Sequence, residues 1–258
     1  MEITKYITAC KIPYKGIETT VLLIRTPAGA VLFDAASYEA DIRERVLPWL
    51  AEQGVAAEEV KYVFISHNHG DHAGGLPTLL ACLPHLQVVT QSVSLCEQYG
   101  ADRVRLAADG EMLMDCLQVV SIPGHTADSA ALLDTRDETL VCGDCLQLHG
   151  IFGQGKWGAN IPHPTEHRRA LERLRQMQIE TVIAAHDYHP MGQIYRGKEG
   201  LLAAIEACLA PLDRIGGLIV GHPDMDDDAI CALYNEAPMT PTLGVHVVRA
   251  VRRSLDKT

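Results

Sequence analysis

The stretch Ser66-His67-Asn68-His69-Gly70-Asp71-His72-Ala73-Gly74-Gly75 follows directly on the apolar run Tyr62 to Ser66. No other segment limits the fold as tightly. His67 and His69 are two apart, so in an extended chain they point the same way. Asp71 and His72 arrive as the chain turns after Gly70. Ala73, Gly74 and Gly75 have almost no side chain, which lets this backbone pack closely against another element. Four nitrogen and oxygen donors thus converge at a strand end, where α/β folds keep their sites. A polar loop with incidental histidines accounts for one such residue, not for four at this spacing. Neutral imidazole and carboxylate suit zinc, manganese or iron, and no thiolate is needed.

Further donors stand in similar places. His125 lies in Ile122-Pro-Gly-His-Thr, Asp144 in Val141-Cys-Gly-Asp-Cys, and His186 ends the run Thr181-Val-Ile-Ala-Ala. Each comes at the carboxyl end of an apolar run. Singly, each reads equally well as a turn residue or a surface group; with the first cluster they read as parts of one site.

The surrounding pattern is α/β. Strands are expected over Thr20–Arg25, Val31–Ala35, Tyr62–Ser66, Leu86–Thr90, Leu117–Ile122, Leu140–Gly143 and Thr181–Ala185, and helices over Tyr38–Glu52 and Thr165–Met177. Thr165 reads as the N-cap of the latter helix. From about residue 197 the pattern turns all-helical: a stripe through Leu201, Leu202, Ile205 and Leu209 that Pro211 should stop, then Asp226–Tyr234 and Leu243–Leu255. The expected division is residues 1–196 as the catalytic domain and 197–258 as a helical extension packed on it. The acidic run Asp224 to Asp228 lacks the glycine and glutamate of a calcium loop and reads as a helix start.

Composition excludes several classes. Against 33 acidic residues stand 22 basic ones, a net charge of -11. Such a chain repels a phosphate backbone, so nucleic acid is not an expected partner. No apolar run approaches the ~18 residues of a membrane span. The N-terminal MEITKYITACKIPY has no charged-then-apolar leader, and a cytoplasmic location is expected. The eight cysteines show no framework spacing and are read as reduced. Cys142 and Cys145 form a C-x-x-C pair around Asp144; space-filling beneath a site is preferred to a dithiol redox role.

These residues resemble the metallo-β-lactamase superfamily, whose signature is H-x-H-x-D-H followed by a downstream His, a bridging Asp and a final His, each after a strand. The match covers about residues 18 to 190. The resemblance implies a four-layer αββα sandwich with metals at one edge between two sheets. It implies His67, His69 and His125 on one divalent metal, Asp71, His72 and His186 on a second, and Asp144 bridging both. It gives Asp34, ending Val31-Leu-Phe-Asp, the role of supporting the metal loop. Zinc is the first choice of metal, with manganese or iron as alternatives. Two metals ~3.5–4 Å apart would share a water and lower its pKa toward ~7. The resulting bridging hydroxide would attack the substrate, and Asp71 would orient the water or shuttle the proton.

The expected function is hydrolysis of an ester-type bond in a small molecule, a lactone or a thioester. An iron-dependent redox enzyme acting on sulfur or oxygen, or a small phosphodiesterase, is the alternative. Flavin-linked di-iron members of the superfamily usually carry Glu where this chain has His69. A catalytically silent binding protein would lack ligands, and none is missing. The glyoxalase II branch is similar in length and helical tail. Quorum-signal lactonases use a tyrosine near the metals, for which Tyr188 and Tyr195 are candidates. The glycine-rich stretch 149–163 carries Phe152, Lys156, Trp157 and His163. Lys156 and Trp157 read either as contacts for a carboxylate or phosphate and an apolar group, or as a surface loop with one anchor. His189 reads as a support of the metal shell or as exposed. A homo-oligomer is compatible with all of this.

Overall fold

Runs of branched aliphatic residues become strands here because they are buried on both faces, and helices return the chain between them. The computed structural model describes residues 1–147, 158–188, 192–236 and 242–256. Its strands are arranged as two mixed sheets. The chain divides into two compact units, one of Met1–Ser121 with Ala130–Arg136, the other of Ile122–Ser129 with Asp137–Thr258.

Unit one holds a six-stranded sheet in chain order: β1 (Ile7–Tyr14), β2 (Ile17–Thr26), β3 (Gly29–Phe33), β4 (Val60–Ile65), β5 (Gln87–Thr90) and β6 (Val104–Leu106). The first three strands are antiparallel; β3 to β6 run parallel, with Phe33 beside Phe64 and Ile65 beside Thr90. Parallel pairing carries the carboxyl ends of β3 and β4 to one edge, and Asp34 and Ser66 emerge there. The expected helix over 38–52 is present as α1 (Glu39–Asp41), a π-helical segment (Ile42–Val46) and α2 (Leu47–Glu52). Three short helices were not foreseen: α3 (Gly70–Ala73), α4 (Leu76–Cys82) and α5 (Val93–Tyr99). Ile42, Val46, Trp49, Leu76 and Leu79 pack with Val21, Leu23, Leu32, Val63, Ile65 and Val88 in one buried cluster. Burying each such side chain contributes roughly 1.5–3 kcal/mol. An antiparallel meander, β7 (Met112–Leu113), β8 (Leu117–Ser121) and β9 (Ala130–Asp134), completes the unit.

Unit two holds β10 (Thr139–Gly143) parallel to β11 (Thr181–Tyr188), with β12 (Gly192–Arg196) antiparallel to β11. Its helices are α6 (Pro164–Gln176), α7 (Gly197–Gly221), α8 (Asp227–Asn235) and α9 (Val245–Leu255). In α6 the stripe Ala170, Leu171 and Leu174 is buried as expected, and His167 joins it. The cap is His163, not Thr165, with Pro164 in the first turn, where its missing N–H costs nothing.

Pro211 does not stop its helix. α7 runs through it, and Leu212, Ile215 and Ile219 continue the buried stripe beyond. An interior proline costs about 3 kcal/mol, which burial of three large aliphatic side chains offsets. These three pack with Ile230 and Tyr234 of α8 and with Val247, Val248 and Val251 of α9. The acidic run is a helix start: Asp226 caps α8 by accepting from the Ala229 N–H at 2.8 Å. Among the described residues no helix is long and apolar enough to cross a membrane.

Candidate metal centre

In unit one the site is built around a buried carboxylate. Asp34 leaves β3 in the left-handed region, φ 63, and its side chain is 1% exposed. Its Oδ1 accepts from the Ser66 N–H at 2.8 Å. Its Oδ2 accepts from the Ser66 hydroxyl at 3.1 Å and pairs with His72 Nδ1 at 2.7 Å. The last contact fixes the tautomer: His72 Nδ1 carries the proton, and Nε2 is the atom that could bind a metal. That Nε2 faces Asp71 Oδ2 at 3.5 Å.

His67 follows the same pattern. Its Nδ1 meets the Ser66 hydroxyl at 3.0 Å, and its Nε2 stands 3.0 Å from His69 Nδ1. The ligand atoms of His67 and His69, of His67 and His72, and of Asp71 and His72 lie within 4.8 Å of each other. The small residues of the motif are required by close approach: a Cβ on Gly75 would lie 2.2 Å from the Ala35 carbonyl oxygen. The Ala35 N–H donates to the His72 carbonyl at 2.6 Å, and the Gly75 N–H donates to the Ala36 carbonyl at 3.2 Å. The turn after β4 is thereby stitched to the turn after β3.

In unit two three residues from distant segments meet. Asp144, just past β10, turns its two oxygens to two imidazoles: Oδ1 is 3.1 Å from His186 Nε2 and Oδ2 is 3.6 Å from His125 Nε2. His125 Nδ1 donates to the Asn160 carbonyl at 2.8 Å, which again leaves Nε2 as the atom that could bind a metal. Asp144 Oδ2 also accepts from Gln147 Nε2 at 3.1 Å. His167 is fully buried behind the His125 turn, its ring against Gly124. Burial lowers its pKa from 6.5 to about 4, the nearby Pro123 carbonyl opposing only weakly. It is therefore neutral at pH 7. Both cysteines flanking Asp144 are buried, and Cys142 Sγ points to the Ile183 carbonyl at 3.3 Å.

The expected tyrosines lie in the interior of unit two. Tyr188 is fully buried and its phenol is held protonated, first by burial and then by the charge of Asp144. Tyr195 is 6% exposed, its hydroxyl donates to the Gly192 carbonyl, and burial raises its pKa. Lys156, Trp157, Phe152 and His189 lie outside the described residues.

Two concavities are relevant. One, of about 210 Å³, lies in unit one beside His69, lined by Asn68, Ala73, Pro77, Leu95, Gln98 and Tyr99 among others. Its wall carries no carboxylate, lysine or arginine. The other, of about 240 Å³, lies in unit two between the start of α6 and the end of α9, at His163, Glu166 and Arg253.

The donor set in each unit is imidazole and carboxylate, with tautomers fixed by partners behind the ligands. That chemistry fits a divalent ion of the zinc, manganese or iron type.

Comparison with known proteins agrees. The model of the metallo-beta-lactamase superfamily matches residues 15–89, which contain the whole unit-one set. Hydroxyacylglutathione hydrolase of Parasynechococcus marenigrum is 30% identical over 171 residues, 60% of this chain and 62% of that protein. Among solved structures, a metallo-beta-lactamase family protein of Thermus thermophilus superposes with a TM-score of 0.68 at 19% identity, covering 98% of this chain and 94% of its own. The chain is thus similar in sequence to the metallo-β-lactamase superfamily over residues 15–89 and shares the fold of its solved members. This is a superfamily of metal-dependent hydrolases, and the two mixed sheets with helices and a helical C-terminal part match its fold. Rubredoxin oxygen:oxidoreductase of Desulfovibrio gigas has the same fold, with a TM-score of 0.66 at 14% identity over 97% of this chain and 74% of its own. The matched regions span 54%, 57% and 62% of three curated relatives.

Ser66, Gln147, Asn160 and His167 escaped the reading of the sequence. Ser66 was adjacent to a recognised motif and carries a hydroxyl, the one signal available. Gln147 and Asn160 act on or through backbone atoms, which no spacing reveals.

Proposed function

We propose that this chain is a metallohydrolase that cleaves a small-molecule thioester or lactone. In this reading His67, His69, Asp71, His72, His125, Asp144 and His186 hold two divalent ions, zinc by first choice. The observation that carries it is the fixed tautomer of His72 and of His125. Each has Nδ1 bound to an oxygen acceptor and presents Nε2, the arrangement of a ligand oriented from behind.

Divalent ions held by these residues would supply Lewis acidity and lower the pKa of a bound water toward about 7. The protein side chains do the rest. Asp34 keeps the first set in register through its contacts with the Ser66 N–H, the Ser66 hydroxyl and His72 Nδ1. Asp71 is the more accessible carboxylate, its side chain 16% exposed against 7% for Asp144. It accepts the proton released on attack and returns it to the departing thiolate or alkoxide. The Thr19 hydroxyl donates to the Asp71 carbonyl at 3.1 Å and steadies its backbone. The cavity beside His69 receives one arm of the substrate, and its size and lack of charge suit an uncharged group about as large as a benzene ring.

The thioester arm of the proposal is supported by the similarity to hydroxyacylglutathione hydrolase. An iron redox enzyme is the second reading, since structural neighbours named as flavo di-iron proteins and an oxygen oxidoreductase share this fold. At 14–16% identity these neighbours speak to the fold alone.

The test is metal analysis of purified protein, joined to a panel of thioesters, lactones and phosphodiesters assayed after zinc, manganese or iron reconstitution. Two metals per chain and thioester or lactone hydrolysis that Asp144→Ala abolishes are the expected outcome. Stoichiometric iron with redox-active visible bands and no hydrolysis would replace this reading with the second.

A further inference from the structure

The segment Gly158–Ile161 is gripped from two sides within unit two. Ala159 and Ile161 are buried among Leu212, Ile215, Tyr234 and Val247 of the C-terminal helices. A Cβ on Gly158 would lie 1.8 Å from the Thr242 carbonyl oxygen, so only glycine allows that approach. Asn160, between them, is engaged through three of its polar groups. Its carbonyl accepts from His125 Nδ1 at 2.8 Å. Its N–H donates to Gln147 Oε1, and Gln147 turns its amide N–H to Asp144 Oδ2 at 3.1 Å. Its side-chain oxygen accepts from His246 Nε2 at 2.7 Å.

His246 lies on the first turn of α9 and is exposed. Its ring lies over Gly244, where a Cβ would come within 2.5 Å of it. One peptide unit therefore stands between an exposed histidine of the last helix and two residues of the proposed centre.

We propose that the C-terminal helix belongs to the scaffold of the metal centre: His246, by holding the Asn160 side chain, positions His125 and Asp144. This rests on the metal-centre reading above. An exposed hydrogen bond of this kind contributes only about 0.5–1.5 kcal/mol to folding. Its effect lies in geometry, since a displacement of the Asn160 peptide lengthens the contacts that fix the His125 tautomer and orient the Asp144 carboxylate. His246 is a positioning residue; it touches no reacting group.

The experiment titrates Zn2+ into metal-free protein against a chromophoric chelator and records the thermal midpoint of the same metal-free samples. Partners directly behind metal ligands are typically worth 10- to 100-fold in affinity, and one bond further out about five- to tenfold is expected for His246→Ala. Asn160→Ala should match it, and the double variant should be no worse than either, because both cut one link. His246→Gln keeps an N–H donor and should restore most of the affinity. Arg253→Ala, on the same helix but off this chain of contacts, should bind as wild type. The midpoint should move by less than about 4 °C in His246→Ala.

Wild-type Zn2+ affinity in His246→Ala, or additive losses in the double variant, would overturn the proposal while leaving the metal centre intact. His125→Ala separates the two readings. If it binds Zn2+ as tightly as wild type, the centre itself is misassigned and the role of His246 falls with it.

Discussion

The two units solve one chemical problem in opposite ways. In unit one the donors are contiguous, His67 to His72, and what holds them is one buried carboxyl group: Asp34 contacts Ser66 twice and His72 once. In unit two the donors come from segments up to 61 residues apart (125 to 186), and what holds them is neutral. His125 leans on a backbone carbonyl, Asp144 on a glutamine amide, and the His125 turn on the uncharged ring of His167. A local cluster needs one strong fixed point because its members share a backbone. A dispersed cluster needs many weak ones, each set by the packing of a separate segment.

The largest effect expected from this contrast is at Asp34. Asp34→Ala leaves the Ser66 N–H, the Ser66 hydroxyl and His72 Nδ1 without their acceptor, and Ser66 and His72 are both fully buried. Removing one partner from a buried charged network costs about 3–5 kcal/mol. Alanine also tolerates the positive φ of this position less well than aspartate. Urea unfolding of the metal-free protein should show the loss. A change under about 1 kcal/mol would mean that the unit-one turn is held by its backbone bonds alone.

The next effect belongs to unit two and appears as pH dependence. His167 titrates near 6.5 unfolded and at about 4 folded. Between these values the unfolded chain binds the extra proton, so stability is full above pH 6.5 and declines as pH falls toward 4. At pH 5 the loss from this residue is about 2 kcal/mol. Denaturant midpoints measured from pH 7 to pH 5 should fall accordingly, and His167→Leu should flatten the slope. Equal slopes in both proteins would place the acid sensitivity elsewhere.

What the sequence revealed follows the same contrast. Donors with fixed spacing, and donors each closing an apolar run, are visible because strand ends are visible. The strands that carry them appear within a few residues of where β-branched runs put them. Elements that were missed lack local signals. β1 contains Lys11 and Pro13 and reads as polar at one edge, β9 is the five-residue run Ala130–Asp134, and α3 to α5 are at most seven residues long. Pro211 gave a real local signal that tertiary packing overrode. In the stretch 149–163 the large side chains of Lys156 and Trp157 are visible to a pattern, and the backbone contacts of Asn160 are not. A residue acting through its carbonyl and N–H has no identity that a pattern can register.

The smallest effect tests the weak-contact half of the contrast. Gln147 spans Asp144 Oδ2 and the Asn160 N–H with a single amide group. Gln147→Ala removes one bond to a proposed ligand and one to the peptide that steadies another. As a direct partner of a ligand it should weaken Zn2+ binding about tenfold, at a cost to folding of about 1 kcal/mol. The ratio is what distinguishes the units. Asp34→Ala should damage folding and metal binding together, because one buried side chain serves both, whereas Gln147→Ala should separate them. If Gln147→Ala destabilises the metal-free protein as much as Asp34→Ala does, unit two also hangs on a single fixed point, and the distinction between a strong anchor and a web of weak ones does not hold.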